Sequence, residues 1–482
     1  MEQAKRAVLY SSLLTWYKEA IRFSPLSFFT AMPSVLIKTY GCQMNERDSE
    51  QVASMFRAAG YELTADEAEA DVYLINTCSV REKAELKALG KMGQLCARPE
   101  AKPWTVYGFM GCMSQSLGEA IFREVPRVDL VAGTQQYHHV YEICNRLLRS
   151  RLGMHIDRPL RRGAHICTTA TEEGFQNMVT EHLDDGGKCS AFVSIAQGCD
   201  MHCSYCIVPS TRGPEVSRPA ADIVAEVREL VSRGIKEVTL LGQIVNRYGR
   251  QEGLVDGKGA FVRLLEALHD IEGLERLRYT SPHPIGFRED LVQAYTYLPK
   301  LCSHIHFPMQ SGSDRILRAM YRPYKNETYL ALCEALRAAR PDLAITTDII
   351  VGFPGETDED FAATVAAVER VQFDNAFIFK YSPRRGTVAA GLPDQVPARI
   401  KEQRNHELLE VTNRIAVARN RALVGTQQVI LVEGPSKSNP DRLQGRSSQN
   451  KPVIITEGQA EVGSLVPVQI RECTGFTLYG SV

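Results

Sequence analysis

Strand-like and helix-like segments alternate along most of this 482-residue chain, and this alternation limits the folds that it can adopt. Between residues 34 and 150, apolar runs such as Val72-Tyr73-Leu74-Ile75-Asn76-Thr77 alternate with helix-like stretches. The same alternation returns at Cys189 and continues to about residue 381. Segments that alternate in this way build parallel sheets covered by helices, because each parallel crossover needs a long return connection. The sequence therefore predicts two successive α/β units.

The first unit, residues 33–150, is predicted to be an open α/β domain of the flavodoxin-like kind with a mostly parallel sheet. Cys42, Cys78 and Cys112, called here the strand-end trio, each follow one of its first three predicted strands. A single cysteine is more often a small buried apolar residue. Ligands of open α/β sheets bind at the carboxyl ends of strands, however, so we expect these three thiols to converge. The predicted strands cover 35–40, 72–77, 104–110 and 128–131.

The second unit, residues 185–418, contains six strand–helix repeats, which predict a partial (β/α)6 barrel beside the eight-repeat form. Active sites of such barrels lie at the carboxyl ends of the strands. Polar or glycine-rich turns follow several of these strands, and glycine lets a ligand approach the backbone closely. The turns cover 242–246, 281–284, 310–313 and 352–356. The predicted strands cover 191–195, 237–241, 277–280, 304–307, 343–351 and 376–381.

Three cysteines, called here the loop trio, lie in the eight residues that run from Cys199 through Cys203 to Cys206, after the first strand of the barrel. Iron–sulfur clusters are held by such thiolates, and three protein ligands leave one iron of a four-iron cluster open. Two simpler interpretations compete: a thioredoxin-like pair of Cys203 and Cys206, or a structural zinc that also uses His202. The redox pair leaves Cys199 unexplained. His202 lies beside Cys203, which makes simultaneous tetrahedral ligation awkward.

The composition is that of an ordinary globular protein, with 44% hydrophobic and 23% charged residues. The net charge of −1 indicates no global attraction to nucleic acid. Thirteen unevenly spaced cysteines are too few for a disulfide scaffold and indicate a reducing cytosol. No apolar run approaches the roughly 18 residues of a membrane span, so we expect a cytoplasmic protein. We expect either that Met32 is the true start or that residues 1–31 are a poorly ordered extension, and we expect residues 151–184 to be a linker.

Residues 419–482 change character, with short apolar strands separated by glycines, and they predict a small antiparallel barrel of OB-like size. Between Arg399 and Lys451 the chain carries ten Lys and Arg against five Asp and Glu, a local excess of five positive charges. Such an excess favours a nucleic-acid backbone as partner. A solvated charged helix before a small β-domain gives the same count, so both interpretations stay open.

Several motifs together are similar to those of one known family, the radical S-adenosylmethionine methylthiotransferases. The cysteine loop, with Tyr205 before its last cysteine, resembles the loop of the radical S-adenosylmethionine superfamily. Residues 39–45 (TYGCQMN) and 76–81 (NTCSVR) are similar to the family's amino-terminal domain. Residues 419–482 resemble its RNA-binding TRAM domain. The resemblance covers about nine-tenths of the chain, from about residue 34.

Within this family, residues 206–213 and 381–387 look most like members that act on tRNA. Those members add a methylthio group at C2 of N(6)-dimethylallyladenosine at position 37, next to the anticodon. Other members act on threonylcarbamoyl-adenosine in tRNA or on a ribosomal-protein aspartate. Ile244 stands where the family usually has Asn, and residues 447–451 match the TRAM pattern only loosely. A non-catalytic RNA-binding protein with structural zinc is the alternative from another class.

The resemblance implies two [4Fe–4S] clusters and S-adenosylmethionine as cofactors. The loop trio would hold the catalytic cluster, whose open iron chelates S-adenosylmethionine and whose electron yields a 5′-deoxyadenosyl radical that abstracts the C2 hydrogen. The strand-end trio would hold an auxiliary cluster that presents the sulfur, and a second S-adenosylmethionine would supply the methyl group. Besides the cysteines, the expected cofactor-binding residues are Tyr205, Gly242, Gln243, Asn246, Gln310, Asp348 and Gly352.

The expected partner is the anticodon stem-loop of tRNA, whose single-stranded loop allows a base to be splayed out. Arg384 and Arg385 are predicted RNA contacts, together with the basic stretch after Arg399. We further expect an electron donor such as flavodoxin or ferredoxin, no membrane partner and a monomer.

Overall fold

The computed structural model describes residues 32–79, 82–98, 101–153, 163–171, 181–183 and 186–482. The chain divides into two compact units, residues 1–183 and 184–482. The predicted extension, residues 1–31, lies outside the described residues, as do 154–162, 172–180 and 184 of the predicted linker.

The first unit contains one six-stranded parallel sheet with helices on both faces. Its strands are β1 (Ser34–Tyr40), β2 (Glu62–Leu63), β3 (Val72–Thr77), β4 (Val106–Met110), β5 (Leu130–Ala132) and β6 (Ile166–Thr168). Its helices are α1 (Gln43–Ala58), α2 (Glu82–Ala97), α3 (Cys112–Leu117), α4 (Ala120–Glu124) and α5 (Tyr137–Arg151). The strand order β2-β1-β3-β4-β5-β6 contains the 2-1-3-4-5 order of flavodoxin-like folds, which confirms the predicted class.

Apolar side chains alternate between the two faces of this sheet. Val72 and Leu74 of β3 pack into the core on one face, whereas Tyr73 and Ile75 pack into a separate core on the other. All six residues of β3 are buried. A strand that is buried on both faces reads as a continuous apolar run, which is why the sequence pattern identified it clearly.

Two edge strands of this sheet are absent from the sequence prediction. β2 has only two residues, too few to show an alternating pattern. β6 lies inside the predicted linker, yet it pairs in parallel with β5 from Ile166 to Thr168. The Ile166 amide donates to the carbonyl oxygen of Asp129 at 2.8 Å, and the Gly133 amide donates to that of Thr168 at 2.7 Å. The sheet of the first unit therefore continues past residue 150.

The second unit begins with the larger barrel. Its strands are β7 (Ser190–Ser194), β8 (Ala196–Gln197), β9 (Val216–Ser217), β10 (Glu237–Leu241), β11 (Arg276–Tyr279), β12 (His304–His306), β13 (Ala344–Val351) and β14 (Asn375–Lys380). Its helices are α6 (Val208–Arg212), α7 (Ala220–Ser232), α8 (Ala260–His269), α9 (Glu289–Tyr297), α10 (Asp314–Ala319), α11 (Asn326–Ala339), α12 (Asp358–Val371) and α13 (Ala398–Arg421). Short 3₁₀ helices cover Val245–Arg247, Arg250–Glu252 and Val388–Gly391.

Six of these strands run parallel in chain order and form a partial barrel. β7, β10 and β11 make one three-stranded sheet, and β12, β13 and β14 make the other. A parallel bridge from Leu277 to Leu301 joins the two sheets. Within the described residues no pairing joins β7 to β14, so the barrel stays open on that side. The predicted six-repeat partial barrel is thereby confirmed.

The small carboxy-terminal barrel is closed. Its strands are β15 (Gln427–Pro435), β16 (Leu443–Ser447), β17 (Pro452–Glu457), β18 (Leu465–Thr474) and β19 (Thr477–Ser481). They close in the order β15-β16-β17-β19-β18, and all neighbours are antiparallel except β17 and β19, which are parallel. Five strands closed in this way have the size of an OB-like barrel, as predicted.

Buried polar contacts fix the small barrel to the amino-terminal ends of the larger barrel's strands. Arg278 of β11 donates to the carbonyl oxygen of Ser448 at 2.9 Å. The Lys451 ammonium binds the carboxylate of Asp374, directly before β14, at 2.9 Å. Residues 447–451, which match the TRAM pattern only loosely, are thus the loop that meets the larger barrel. No helix in the described ranges is long and apolar enough to cross a membrane.

Candidate active site

The loop trio begins at a backbone position that requires glycine. Gly198 has φ +81°, and a Cβ atom there would lie 1.8 Å from the carbonyl oxygen of Pro214. The amide of Cys199 donates to the carbonyl oxygen of Gly213 at 3.0 Å. The chain leaving β8 is therefore pressed against residues 213–214, which places Cys199 at the carboxyl end of the barrel.

Ser204 anchors the middle of the loop between Cys203 and Cys206. Its amide donates to the carbonyl oxygen of Met320 at 3.1 Å, and its hydroxyl donates to that of Ala319 at 2.8 Å. Its own carbonyl accepts from the amide of Ala389 at 2.7 Å. Ser204 is buried, and these three hydrogen bonds connect it to two other segments. It therefore holds the cysteines on either side of it in place.

The three thiols of the loop trio lie within electrostatic range of one another. Burial raises the pKa of Cys199, and the neighbouring Cys203 adds to that shift. Burial, with the Cys203 and Cys199 thiols beside it, raises the pKa of Cys206 to about 12. Three thiolates on one loop need cationic charge between them, which the irons of a cluster provide. The donor set therefore fits an iron–sulfur cluster.

A single metal ion fits the structure less well. Zinc would need three or four ligands converging within about 2.3 Å of one point. Across the described part of the chain, no group of three or more His, Cys, Asp or Glu side chains converges in this way. A cluster makes no such demand, because each thiolate binds a different iron.

Several buried polar atoms in the connections that follow the barrel strands lack a hydrogen-bond partner. Among them are Oε1 of Gln243, Nε2 of His283, Nε of Arg322 and the hydroxyl of Tyr381. Buried polar atoms are nearly always paired, so such a group calls for a ligand. A small molecule with both an amino group and a carboxylate would satisfy the acceptor of Gln243 and the donor of Arg322. S-adenosylmethionine has both groups, and the residues present therefore fit it.

The predicted cofactor-binding glycines lie at the ends of two strands. Gly242 directly follows β10, and Gly352 directly follows β13. Gly352 has φ +70°, and a Cβ there would lie 2.4 Å from Cγ of Lys401. Its amide donates to Oε2 of Glu356 at 2.6 Å. The turn after β13 therefore requires glycine at position 352, and its hydrogen bond to the buried Glu356 fixes its conformation.

The other predicted cofactor-binding side chains differ in what already contacts them. The Tyr205 ring packs edge-on against Phe353, with centroids 6.4 Å apart. Gln310 is nearly buried and bridges in parallel to Ile349. The remaining two, Asp348 and Asn246, have polar partners. The carboxylate of Asp348 lies 3.3 Å from Nε2 of His306.

Asn246 is already engaged by the protein. Its side-chain amide donates to the carbonyl oxygen of His283 at 2.8 Å, and its Oδ1 accepts from the His283 amide at 2.9 Å. These bonds occupy both ends of the amide group, so the structure assigns Asn246 to holding the 283 turn. The sequence placed this residue at the right strand end but gave no indication of this partner.

Arg322 and His283 are candidate site residues that the sequence analysis assigned no role. Burial lowers the pKa of Arg322, but the neighbouring Tyr205, Cys203 and Cys206 outweigh that effect and raise the pKa. Arg322 follows Met320, the residue bonded to Ser204, by only two positions. His283 stands in a strand-end turn that the sequence identified as polar, but an isolated histidine carries no sequence signal of its own.

In the first unit, two asparagines tie together the segments that carry the strand-end trio. Cys42 Sγ donates to Oδ1 of Asn45 at 3.3 Å, and Nδ2 of Asn45 donates to Oδ1 of Asn76 at 2.9 Å. Cys78 follows Asn76 by two residues, and its amide donates to the carbonyl oxygen of Tyr40 at 3.0 Å. The structure therefore gathers two of the three cysteine-bearing turns around one amide pair.

The third cysteine joins the same place through a glycine. Gly111, directly before Cys112, has φ +98°, and a Cβ there would lie 2.2 Å from Oδ1 of Asn76. Because Gly111 has no side chain, the Asn76 side chain has room beside it. Cys78 and Cys112 are buried, whereas Cys42 is exposed. Both asparagines stand in the motifs TYGCQMN and NTCSVR, yet their structural task was not predicted.

Much of the basic excess between residues 399 and 451 is used inside the protein. Arg404 binds Glu356 at 3.1 Å and Asp358 at 2.6 Å, and Arg419 binds Asp374 at 2.9 Å. Lys451 binds Asp374 as well. The charge count alone therefore overstates the surface available to a phosphate backbone. Of the two predicted RNA contacts, Arg385 is exposed and Arg384 is half-buried.

Three family descriptions match successive parts of the chain. Residues 34–133 match "Uncharacterized protein family UPF0004", residues 193–368 match the radical SAM superfamily, and residues 421–482 match the TRAM domain. With the partial barrel and the loop trio, these matches place the chain in the class of radical S-adenosylmethionine proteins. Such proteins use a [4Fe–4S] cluster and S-adenosylmethionine.

Relatives that span nearly the whole chain define the family more narrowly. The tRNA-2-methylthio-N(6)-dimethylallyladenosine synthase of Akkermansia muciniphila is 61% identical over 451 residues, covering 93% of this chain and 98% of that protein. The protein of the same name from Methylacidiphilum infernorum is 49% identical over 451 residues, covering 93% and 95%. The chain belongs to the family of the tRNA-2-methylthio-N(6)-dimethylallyladenosine synthases.

Solved structures support the fold alone. The radical S-adenosylmethionine methyltransferase TsrM from Kitasatospora setae, solved with cobalamin and a [4Fe–4S] cluster, matches with a TM-score of 0.51 at 14% identity. The match covers 83% of this chain and 81% of that one. The cobalamin-dependent radical enzyme OxsB with aqua-cobalamin matches with a TM-score of 0.50 at 12% identity, over 80% of this chain and 56% of that one.

Proposed function

We propose that this chain adds a methylthio group to C2 of N(6)-dimethylallyladenosine at position 37 of tRNA, giving 2-methylthio-N(6)-dimethylallyladenosine. The single observation that carries the proposal is the 61% identity to a synthase of that name across 93% of the chain. The overlap leaves no large region unmatched. The buried, polar mouth of the partial barrel is consistent with such chemistry.

The target bond explains why the chain needs cofactors. The C2–H bond of an adenine is neither acidic nor electrophilic, so general acid–base catalysis by side chains does not suffice. When bound, the cluster and S-adenosylmethionine supply the one-electron chemistry that this bond needs. The protein's own part is to position the three thiols, through Gly198 and Ser204, and to shield Cys199 from water by burial. Gln243 would accept a hydrogen bond from the amino group of the bound molecule.

The strand-end trio is proposed to hold a second [4Fe–4S] cluster. The product gains a sulfur atom at C2, and the methyl group of S-adenosylmethionine brings only carbon, so a sulfur source is required. Three cysteine turns gathered around Asn45 and Asn76 offer a second set of thiolates for it. The exposure of Cys42 leaves this set open to a substrate on one side.

The proposed substrate is the anticodon stem-loop of tRNA. The TRAM barrel would bind its phosphates, and Arg385, which is exposed beyond β14, is a suitable contact. We also propose an external one-electron donor such as flavodoxin or ferredoxin, because the reaction consumes an electron that the side chains do not supply. A monomer in the cytoplasm, where thiols stay reduced, fits a chain whose described cysteines form no disulfide with one another.

Nucleoside mass spectrometry of tRNA tests the proposal. A strain that lacks the gene should accumulate N(6)-dimethylallyladenosine, and restoring the gene should return the 2-methylthio form. Accumulation of threonylcarbamoyl-adenosine, or loss of a methylthio group from a ribosomal-protein aspartate, would assign the chain to one of the other family targets. An unchanged nucleoside profile would overturn the proposed substrate.

A further inference from the structure

His283 is a buried histidine whose outer ring nitrogen has no partner. Its exposed fraction is 4%, and Nε2 makes no hydrogen bond. It lies in the turn after β11, between Pro282 and Pro284, at the same carboxyl end of the barrel as the loop trio. A buried donor or acceptor without a partner costs about 1–3 kcal/mol, so such a group is kept only where something satisfies it.

The bonds of the other nitrogen decide which proton His283 carries. The amide of Ile285 donates to Nδ1 at 3.0 Å, so Nδ1 is an acceptor and holds no hydrogen. Burial, together with the positive charges of Arg322 and Arg247, lowers the pKa of His283 to about 2. The ring is therefore neutral, and its proton is on Nε2. His283 presents an N–H donor, not an acceptor.

The polar groups around the ring are engaged elsewhere. Oδ1 of Asn246 accepts from the His283 amide, as described above, and so holds the turn in place. The Tyr324 ring meets the imidazole edge-on, with centroids 5.6 Å apart, but its hydroxyl donates to the carbonyl oxygen of Met309 at 2.9 Å. Neither of these two groups accepts a hydrogen bond from Nε2, so this donor is left for a bound molecule.

The charges nearby indicate what kind of acceptor this is. Arg247 is paired with Glu215 at 3.3 Å, so its charge is largely balanced. Arg322 faces Cys203 and Cys206, and its buried Nε has no hydrogen bond. The two unfilled donors are Nε2 of His283 and Nε of the Arg322 guanidinium. A positively charged donor next to a neutral one favours an anionic oxygen acceptor, and a carboxylate accepts several such bonds at once.

We propose that His283 is a binding residue for the carboxylate of S-adenosylmethionine, which it holds through Nε2–H next to the Arg322 guanidinium. The inference rests on the proposed radical S-adenosylmethionine chemistry of the loop trio, but it does not depend on which RNA the chain modifies. It also explains the role of Asn246, because that side chain holds the backbone of His283 in place and so positions the imidazole.

Binding of S-adenosylmethionine to the cluster-loaded protein, without RNA, tests this assignment. A hydrogen bond to a charged group stabilises by about 1.5–3 kcal/mol, so His283→Leu should weaken binding about ten- to hundredfold. His283→Gln keeps a side-chain N–H donor and should recover most of that loss. His269→Gln, on helix α8, is the matched control and should leave the affinity unchanged. Iron content should stay the same in all three variants.

Decarboxylated S-adenosylmethionine identifies the group that His283 holds. Wild type should prefer the intact molecule, and His283→Leu should lose about tenfold or more of that preference, because the decarboxylated molecule offers the donor nothing to bind. If His283→Leu weakens both molecules equally, the imidazole does not contact the carboxylate. If it leaves their affinities unchanged and raises only the KM for tRNA, the donor serves the target base, and the proposal is wrong.

Discussion

The two cysteine trios are assembled by different means. The loop trio lies within eight consecutive residues, and its geometry depends on one loop backbone and the bonds of Ser204. The strand-end trio comes from positions 36 and 34 residues apart, and it exists only when three parallel strands pair in register. One set is therefore encoded locally and the other by topology.

This difference extends to what surrounds the thiols. Cys199 is buried, the loop trio has Arg247 and Arg322 beside it, and unpartnered polar atoms lie nearby. The strand-end trio is supported by two neutral asparagines that are bonded to each other, and one of its thiols is exposed. The first environment suits a small charged cofactor that must be kept from water. The second suits a cluster that has to reach a large substrate.

The largest effect is expected from removing one thiol of each trio and comparing the products. Cys203→Ala should abolish formation of 5′-deoxyadenosine and of the methylthio product, because only the loop trio supports cleavage of S-adenosylmethionine. Cys78→Ala should abolish the methylthio product while deoxyadenosine still forms. Each variant should lose about four of the roughly eight irons of two four-iron clusters. Equal loss of deoxyadenosine in both variants would contradict the proposal that only the loop trio supports cleavage of S-adenosylmethionine.

A smaller but still large effect should follow from Gly198→Ala. The substitution imposes a left-handed backbone on alanine and a contact of 1.8 Å with Pro214, so it should cost about 2–4 kcal/mol and displace Cys199. Iron bound by the loop trio should fall, and iron bound by the strand-end trio should not. Iron and sulfide analysis after anaerobic reconstitution measures the difference.

Gly90→Ala is the control for that variant. Gly90 lies in helix α2 with nothing within 4 Å of an added Cβ, so alanine should stabilise the first unit by up to about 1 kcal/mol. Its iron content should match wild type. A normal iron content in Gly198→Ala would show that the loop does not need this backbone conformation.

Asn76→Ala should weaken the strand-end trio alone. It removes the donors to the Asn45 carbonyl, at 2.9 Å, and to the Ser49 hydroxyl, at 3.0 Å, at a cost of about 1–3 kcal/mol. Iron should fall by up to about four per chain, while cleavage of S-adenosylmethionine continues. Asn145→Ala removes one bond to Tyr61 in the same unit and should leave iron unchanged. Equal iron in the two variants would show that Asn76 has no special part in the trio.

The same contrast explains how much of the molecule could be predicted from sequence. The strong apolar runs predicted the sheet of the first unit and the six barrel strands, and the cysteine spacing identified the loop. β6 was missed because three residues at a sheet edge give no period. The strand ends indicated a polar site, yet they did not show that the Asn246 side chain would bind the backbone of His283.

What sequence spacing did not reveal was pairing between distant side chains. The link from Asn45 to Asn76, and the approach of Arg322 to the loop trio, join residues that are 31 positions and more than 100 positions apart. Each depends on which side chain the finished fold leaves nearby. The basic stretch after Arg399 shows the same limit, since its charges could be counted but not their buried partners.

The smallest expected effect is kinetic and compares the two trios directly. In the iron-free, reduced protein at pH 8, N-ethylmaleimide should modify Cys42 at least about tenfold faster than Cys206, because Cys42 is exposed and only the thiolate reacts. The pKa of Cys206, raised to about 12, leaves very little thiolate at that pH. The rate for Cys206 should therefore rise about tenfold with each unit by which the pH is increased, as long as the pH stays below that pKa. Peptide mass spectrometry gives both rates, and urea should remove the difference. Similar rates in the native protein would show that the fold does not shield the Cys206 thiol.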